Sequence, residues 1–142
     1  MKKHIFLFIL LIVILNLISA QPALYSARGI GGGGALFFPS INPSNENEFY
    51  VSCDMSELFH SSDFGLNYDQ VPFTKLQVFN KSTYEFTNDP LIAYCNFNDG
   101  NNGYPVKTTD GGNSWQQLNA FDLNNYGTVF KMFTNFNNPN QL

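Results

Sequence analysis

The chain has 142 residues, with 7 Lys+Arg against 11 Asp+Glu and a formal net charge of −4. Aromatic residues make up 16% of it and charged residues only 13%, which supplies the apolar area of a packed core and argues against disorder despite many Asn. Beyond Lys2-Lys3 no stretch groups Lys and Arg, so nucleic acid and anionic membrane surfaces, which are held by clustered cations, are not expected as partners.

Residues 1–20 read as a signal peptide. Lys2 and Lys3 form a basic start, Ile5 to Leu15 is an unbroken apolar run, and Ile18-Ser19-Ala20 places a small residue before Gln21. The run is shorter than the roughly 20 residues a bilayer span needs, so export with cleavage fits better than an anchor. The mature chain, 21–142, is then one small domain with 5 basic residues against 11 acidic ones. It is expected outside the cell or in a periplasm, with no membrane attachment after cleavage.

Lys, Glu and Ala, the usual fillers of helix surfaces, are scarce, while Asn, Gly, Phe and Tyr abound. That composition predicts an all-β fold of short strands and tight turns. Arg28 to Gly34 is a Gly-rich segment, but Gly31–Gly34 lacks the Lys-Ser/Thr ending and the following helix of a phosphate loop.

Two stretches then overlay: Phe49 to Phe73 and Leu91 to Phe121. In each, an apolar strand (Phe49–Cys53, Leu91–Cys95) leads to a polar residue (Asp54, Asn96). A second strand follows, Leu58-Phe59-His60 or Tyr104-Pro105-Val106-Lys107, after a longer hairpin tip at Asp99–Gly103 in the second copy. Next comes Thr108-Thr109-Asp110-Gly111-Gly112-Asn113-Ser114-Trp115, which fits Ser/Thr-x-Asp-x-Gly-x-Ser/Thr-Trp. Ser61-Ser62-Asp63-Phe64-Gly65-Leu66-Asn67-Tyr68 is a weaker copy, with Tyr68 where Trp115 stands. Asp63 and Asp110 are 47 positions apart, the length of one four-stranded repeat. The carboxylate can accept backbone N–H groups of its own turn, Gly65 and Gly112 can take the left-handed position, and the aromatic ring can pack over the hairpin. Residues 135–142 resemble 42–49 and begin a third copy at the end of the chain.

This pattern resembles the Asp-box (BNR-type) turns of sialidase-like and related β-propellers. The resemblance implies an incomplete propeller of about two to two and a half four-stranded blades. The remaining blades of the ring would be its first partner, since propellers typically close with at least about four. It also implies a structural role for Ser61, Asp63, Gly65, Tyr68, Thr108, Asp110, Gly112 and Trp115, away from any active face.

From Arg28 to Tyr68 the order of features is similar to the start of xyloglucan-cleaving glycoside hydrolases built from two propellers. There a Gly-rich segment, an Asn/His-Pro turn such as Asn42-Pro43 and a strand lead to the catalytic base, which here would be Asp54. This implies an inverting enzyme acting on a β-glucan, with a polysaccharide as partner. The family's Gly-Gly after that Asp is replaced by Ser56-Glu57. Inversion also needs a general acid about 6.5–9.5 Å from the base, and the resemblance puts that acid in a second propeller. The 142 residues alone are therefore expected to be inactive. Asp54 equally fits a hairpin cap, and Glu57 an exposed turn residue.

The alternatives are a non-catalytic Asp-box propeller that binds protein or glycan, of the sortilin or photosystem-assembly-factor type, and an exo-sialidase. The latter needs an arginine triad, whereas Arg28 is the single arginine. His60 is the one histidine after the signal segment, so neither a His-based triad nor a metal site is expected, and no cofactor is implied. Cys53 and Cys95 fit either one disulfide or two buried thiols. Asn80-Lys81-Ser82 is a glycosylation sequon for a eukaryotic secretory host. Tyr25, Phe38, Phe97 and Tyr104 are candidates for stacking on sugars or for the core.

Overall fold

The computed structural model describes residues 26, 27, 29, 30, 34–118, 122, 124 and 127–142. The signal segment, Tyr25, Arg28 and Gly31 to Gly33 lie outside the described residues.

The all-β expectation holds. The described residues build eight strands: β1 (Leu36–Asn42), β2 (Asn45–Cys53), β3 (Leu58–Ser61), β4 (Asp69–Val71), β5 (Tyr84–Phe86), β6 (Ala93–Asn98), β7 (Gly103–Thr108) and β8 (Gln116–Gln117). They form two four-stranded antiparallel meanders, β1-β2-β3-β4 and β5-β6-β7-β8. Tight turns rich in Asn, Asp and Gly make this local connectivity cheap. At the β6–β7 tip, Asp99 Oδ1 accepts the N–H groups of Asn101 and Asn102 at 2.9 and 2.7 Å.

The ladder registers relate the two sheets. Phe49 faces Ser61 in the first, and Ala93 faces Thr108 in the second. Since Ser61 and Thr108 open equivalent turns, Phe49 corresponds to Ala93, Tyr50 to Tyr94 and Ser52 to Asn96. The overlay of Cys53 on Cys95 is thereby corrected by two residues: Val51 occupies the place of Cys95, and Cys53 that of Phe97. Val51, Ser52, Cys53 and Ala93 to Asn96 are all buried, so both strands lack the polar–apolar alternation that fixes a register.

The sheets stack front to back. Tyr50, Leu58 and His60 point from the front of the first sheet toward Tyr84, Phe86, Ala93 and Cys95 on the back of the second. Tyr50 stacks on Tyr84 with ring centroids 3.8 Å apart and 11° between planes. Tyr84 in turn meets Phe86 and Trp115 edge-on. Leu76 and Val78, from the segment joining the sheets, complete a core with Leu58, Tyr84, Ala93, Cys95 and Val106. That segment is pinned where Val78 N–H donates to Ser56 O and Asn98 N–H to Gln77 O.

The same pattern starts again on the front of the second sheet. Tyr94, equivalent to Tyr50, donates its hydroxyl to Pro139 O at 2.6 Å. Lys107, equivalent to His60, reaches Asn140 Oδ1 at 3.0 Å, and Asn96 Nδ2 donates to Val129 O. The segment from 128 on therefore lies against the second sheet as the second lies against the first.

Candidate functional site

The two Ser/Thr-x-Asp-x-Gly turns have nearly the same hydrogen-bond wiring. In the first, Ser61 Oγ donates to Asp63 Oδ1 (3.0 Å) and accepts Gly65 N–H (2.8 Å). Asp63 Oδ1 also accepts Leu66 and Asn67 N–H, and Oδ2 accepts Asn67 Nδ2 at 2.6 Å. In the second, Thr108 Oγ1 donates to Asp110 Oδ1 (2.8 Å) and accepts Gly112 N–H (2.9 Å). Asp110 then accepts Ser114 N–H on Oδ1 and Ser114 Oγ on Oδ2, the latter at 2.6 Å. Gly65 and Gly112 have φ of 79° and 86°, the left-handed region where a Cβ is costly. Tyr68 packs edge-on against Phe49 on its sheet's back, as Trp115 does against Tyr84.

This wiring acts on the carboxylates. The Asn67 N–H, and with it the Asn67 side chain and Ser61, holds Asp63 down at about 2. Ser114, through its hydroxyl and its N–H, together with Thr108, holds Asp110 down at about 2. Both are fixed anions with their lone pairs spent on the turn, a poor state for a general acid or base.

Asp54 holds a different partner. Its Oδ1 accepts Ala35 N–H at 3.1 Å, and its own N–H donates to Ala35 O at 3.3 Å. The carboxylate thus ties the chain entering β1 to the end of β2. Gly34 has φ of 87°, and a Cβ there would collide with Asp54 Oδ1. The hairpin after Asp54 is closed by Cys53 N–H to Glu57 O at 2.9 Å, with Ser56 left-handed at φ 75°. Glu57 is half-buried, and its Oε2 is buried without a hydrogen-bond partner.

Cys53 and Cys95 are both buried thiols that form no disulfide with one another, one in each sheet. Burial pushes both thiols up, away from the reactive thiolate. A thiol reagent is therefore expected to modify them at least about a hundredfold more slowly in the native chain than in urea, because access requires opening the core. Thiol counting that finds none in urea would instead show a bridge.

Clefts lie at both margins of the sheet-to-sheet contact. One, of about 300 Å³, is lined by Asn42, Glu48, Tyr50, Tyr84, Asp89 and Gly111 among others. Another, of about 210 Å³, includes Leu58, His60, Asp69, Lys75 and Trp115. Between them His60 Nε2 lies 3.2 Å from Glu48 Oε1 and its ring stacks on Tyr50, while Asn42 Nδ2 donates to the other Glu48 oxygen. A third depression, about 340 Å³, crosses β1, β5 and the 131–136 segment, with Phe38, Lys131 and Phe133 on its walls. Phe38 is left-handed at φ 44° beside a register shift in β1, and it is exposed. Phe97 and Tyr104 instead pair with each other, 5.2 Å apart, and pack on the core. None of these clefts is lined by Asp54. Among the described residues no three His, Cys, Asp or Glu side chains gather as metal ligands would.

One repeated residue escaped the sequence reading. Asn42, Asp89 and Asn135, spaced by 47 and 46 positions, each accept the N–H two residues on, from Ser44, Leu91 and Asn137. Asn42 and Asn135 also donate Nδ2 to the residue six positions later, Glu48 and Gln141. The overlay of 135–142 on 42–49 thus reappears as hydrogen bonds. The chemical equivalence of Asp and Asn in such turns was the available clue to Asp89.

Compared with known proteins, the chain matches no protein-family model, and no curated protein is significantly similar to it.

Proposed function

We propose that this chain is a run of successive blades of an exported Asp-box β-propeller that serves as a binding scaffold and carries out no hydrolysis itself. The observation that carries the reading is the 47-residue recurrence of one turn wiring, at Asp63 and Asp110, on two meanders that stack front to back. A repeat whose front covers the next repeat's back has no natural end short of a ring or a solenoid, and the four-stranded meander is the propeller unit. On this reading Asp63 and Asp110 are staples of the blade.

The hydrolase resemblance rests on Asp54. As the base of an inverting enzyme it would have to activate a water in a cleft, whereas its Oδ1 is occupied by Ala35 N–H. Ser56 adopts φ 75° where the resembling enzymes have glycine, so the hairpin keeps a glycine-like backbone while Glu57 adds bulk. The non-catalytic scaffold fits these facts better. Incubated with xyloglucan or mixed-linkage β-glucan, the purified chain is expected to release no reducing sugar above a boiled control. Release that disappears in Asp54→Ala would overturn the scaffold reading and would require a general acid, besides Asp54 as base, within these 142 residues.

A further inference from the structure

Two triplets of the chain have the form Asn-x-Ser, Asn42-Pro43-Ser44 and Asn80-Lys81-Ser82. The middle Pro43 disqualifies the first as a glycan acceptor. The second lies in the segment joining the two sheets and folds into a tight turn. Ser82 N–H donates to Phe79 O at 2.9 Å, and Phe79 N–H donates to Ser82 Oγ at 3.1 Å. Asn80 and Lys81 form the tip of that turn, and both are exposed. Asn42, Asn67 and Asn96 hold their Nδ2 in hydrogen bonds. Among the described residues the Asn80 amide is bonded to none.

Ser82 is placed in the opposite way. It is 1% exposed, and its Oγ donates to Asn96 O at 2.8 Å. A transferase that acts on such a triplet reads the hydroxyl together with the amide. In the folded chain it can reach the amide but not the hydroxyl. Asn96 follows Ser82 by 14 positions, so the hydroxyl is within reach only until β6 closes on the segment.

We infer that Asn80 is a site of N-linked glycosylation, filled while the chain is still unfolded during export. This rests on the export reading and is independent of the propeller. The donor is an oligosaccharide on a lipid pyrophosphate. Asn80 Nδ2 forms the new bond to C1 of the first sugar and gives up one proton, and the C1–O bond breaks with its electron pair leaving on the pyrophosphate. After folding the sugar stands on an exposed turn tip, where nothing has to move to make room. Val78 N–H to Ser56 O and Asn98 N–H to Gln77 O hold the segment at the end of the sheets where the β2–β3 and β6–β7 hairpins turn. The glycan therefore shares that end with Asp54. The Asp63 and Asp110 turns, and the cleft lined by Asn42, Asp89 and Gly111, lie at the other end of the strands and stay open.

Translation of the full chain into eukaryotic microsomes tests it, behind residues 1–20 and, in parallel, behind a proven cleavable signal. The expected product is protected from added protease and migrates more slowly. Peptide N-glycosidase should remove the shift and convert the Asn80 amide to a carboxylate, which a peptide mass map reads without any variant. Asn80→Gln, at an exposed tip that leaves the fold intact, should lose the shift entirely. A chain protected behind both leaders yet unshifted overturns the site while export stands, and so does a shift that survives in Asn80→Gln. A chain protected and modified only behind the substitute signal overturns export, and with it the modification of this protein. Folded chain made without a glycan and added to permeabilised microsomes should stay unmodified. Its glycosylation there would overturn transfer before folding.

Discussion

Tyr84→Ala is expected to lower the unfolding free energy by about 3–5 kcal/mol, the range for truncating a buried aromatic. For a chain of this size that is a fall of roughly 12–20 °C in melting temperature. Tyr84 is buried, lies flat on Tyr50 and meets Phe86 and Trp115 edge-on. Removing it deletes the contact that joins the two sheets and leaves a cavity between them. Tyr50→Ala should cost less, since Tyr50 is only half-buried. The two effects should be non-additive, because each substitution removes the same stack. Melting followed by near-ultraviolet circular dichroism checks both. A Tyr84→Ala protein melting within about 3 °C of the parent would mean that the sheets do not depend on one another.

The second large effect is acid lability. Asp63 and Asp110 both titrate at about 2 in the folded chain against an ordinary 3.8. A carboxylate whose pKa is depressed on folding contributes stability above its unfolded pKa and loses it as pH falls toward its folded one. The contribution of the two turns is thus fully present above about pH 5 and is lost between about pH 4 and pH 2. Asp99, depressed chiefly by the Asn102 N–H with that of Asn101, acts in the same direction. Asp99 is exposed and Asp63 and Asp110 are only half-buried, so added salt should narrow the drop. The expected result is a melting temperature flat from pH 7 to about 5 that then falls steeply. The double variant Asp63→Asn/Asp110→Asn should melt lower at neutral pH yet lose less on acidification. Parallel curves for parent and variant would separate acid sensitivity from these turns.

These turns were legible in the sequence because everything they need is local. Ser61, Asp63 and Gly65, like Thr108, Asp110 and Gly112, bond within four residues of one another. Local chemistry of this kind does not depend on the rest of the fold. The strands flanking them were also readable from their aromatic and β-branched residues. The pairing register was not, because the end of β2 (Val51–Cys53) and the start of β6 (Ala93–Asn96) are buried on both faces and a two-residue slip leaves the apolar count unchanged. Neither was the role of Asp54. Its partner Ala35 is 19 residues away, and only the closing of β1 on β2 brings them together. The left-handed backbone of Phe38 and Phe64 had no herald in their own residue types, since nothing in them favours positive φ, whereas at Ser56 the glycine of the resembling enzymes was an indication. For Phe64 the glycine at the repeat-equivalent position, Gly111, was a faint indication.

Successive units stack front to back, so the decisive contacts are those between them. Nuclear Overhauser spectroscopy of the aromatic protons tests them together. Cross-peaks are expected between the rings of Tyr50 and Tyr84, between those of Tyr50 and Phe86, and between Tyr94 and Pro139. Finding the within-sheet Phe49–Tyr68 cross-peaks without any of those between units would contradict the account, leaving two independent meanders that happen to share a turn.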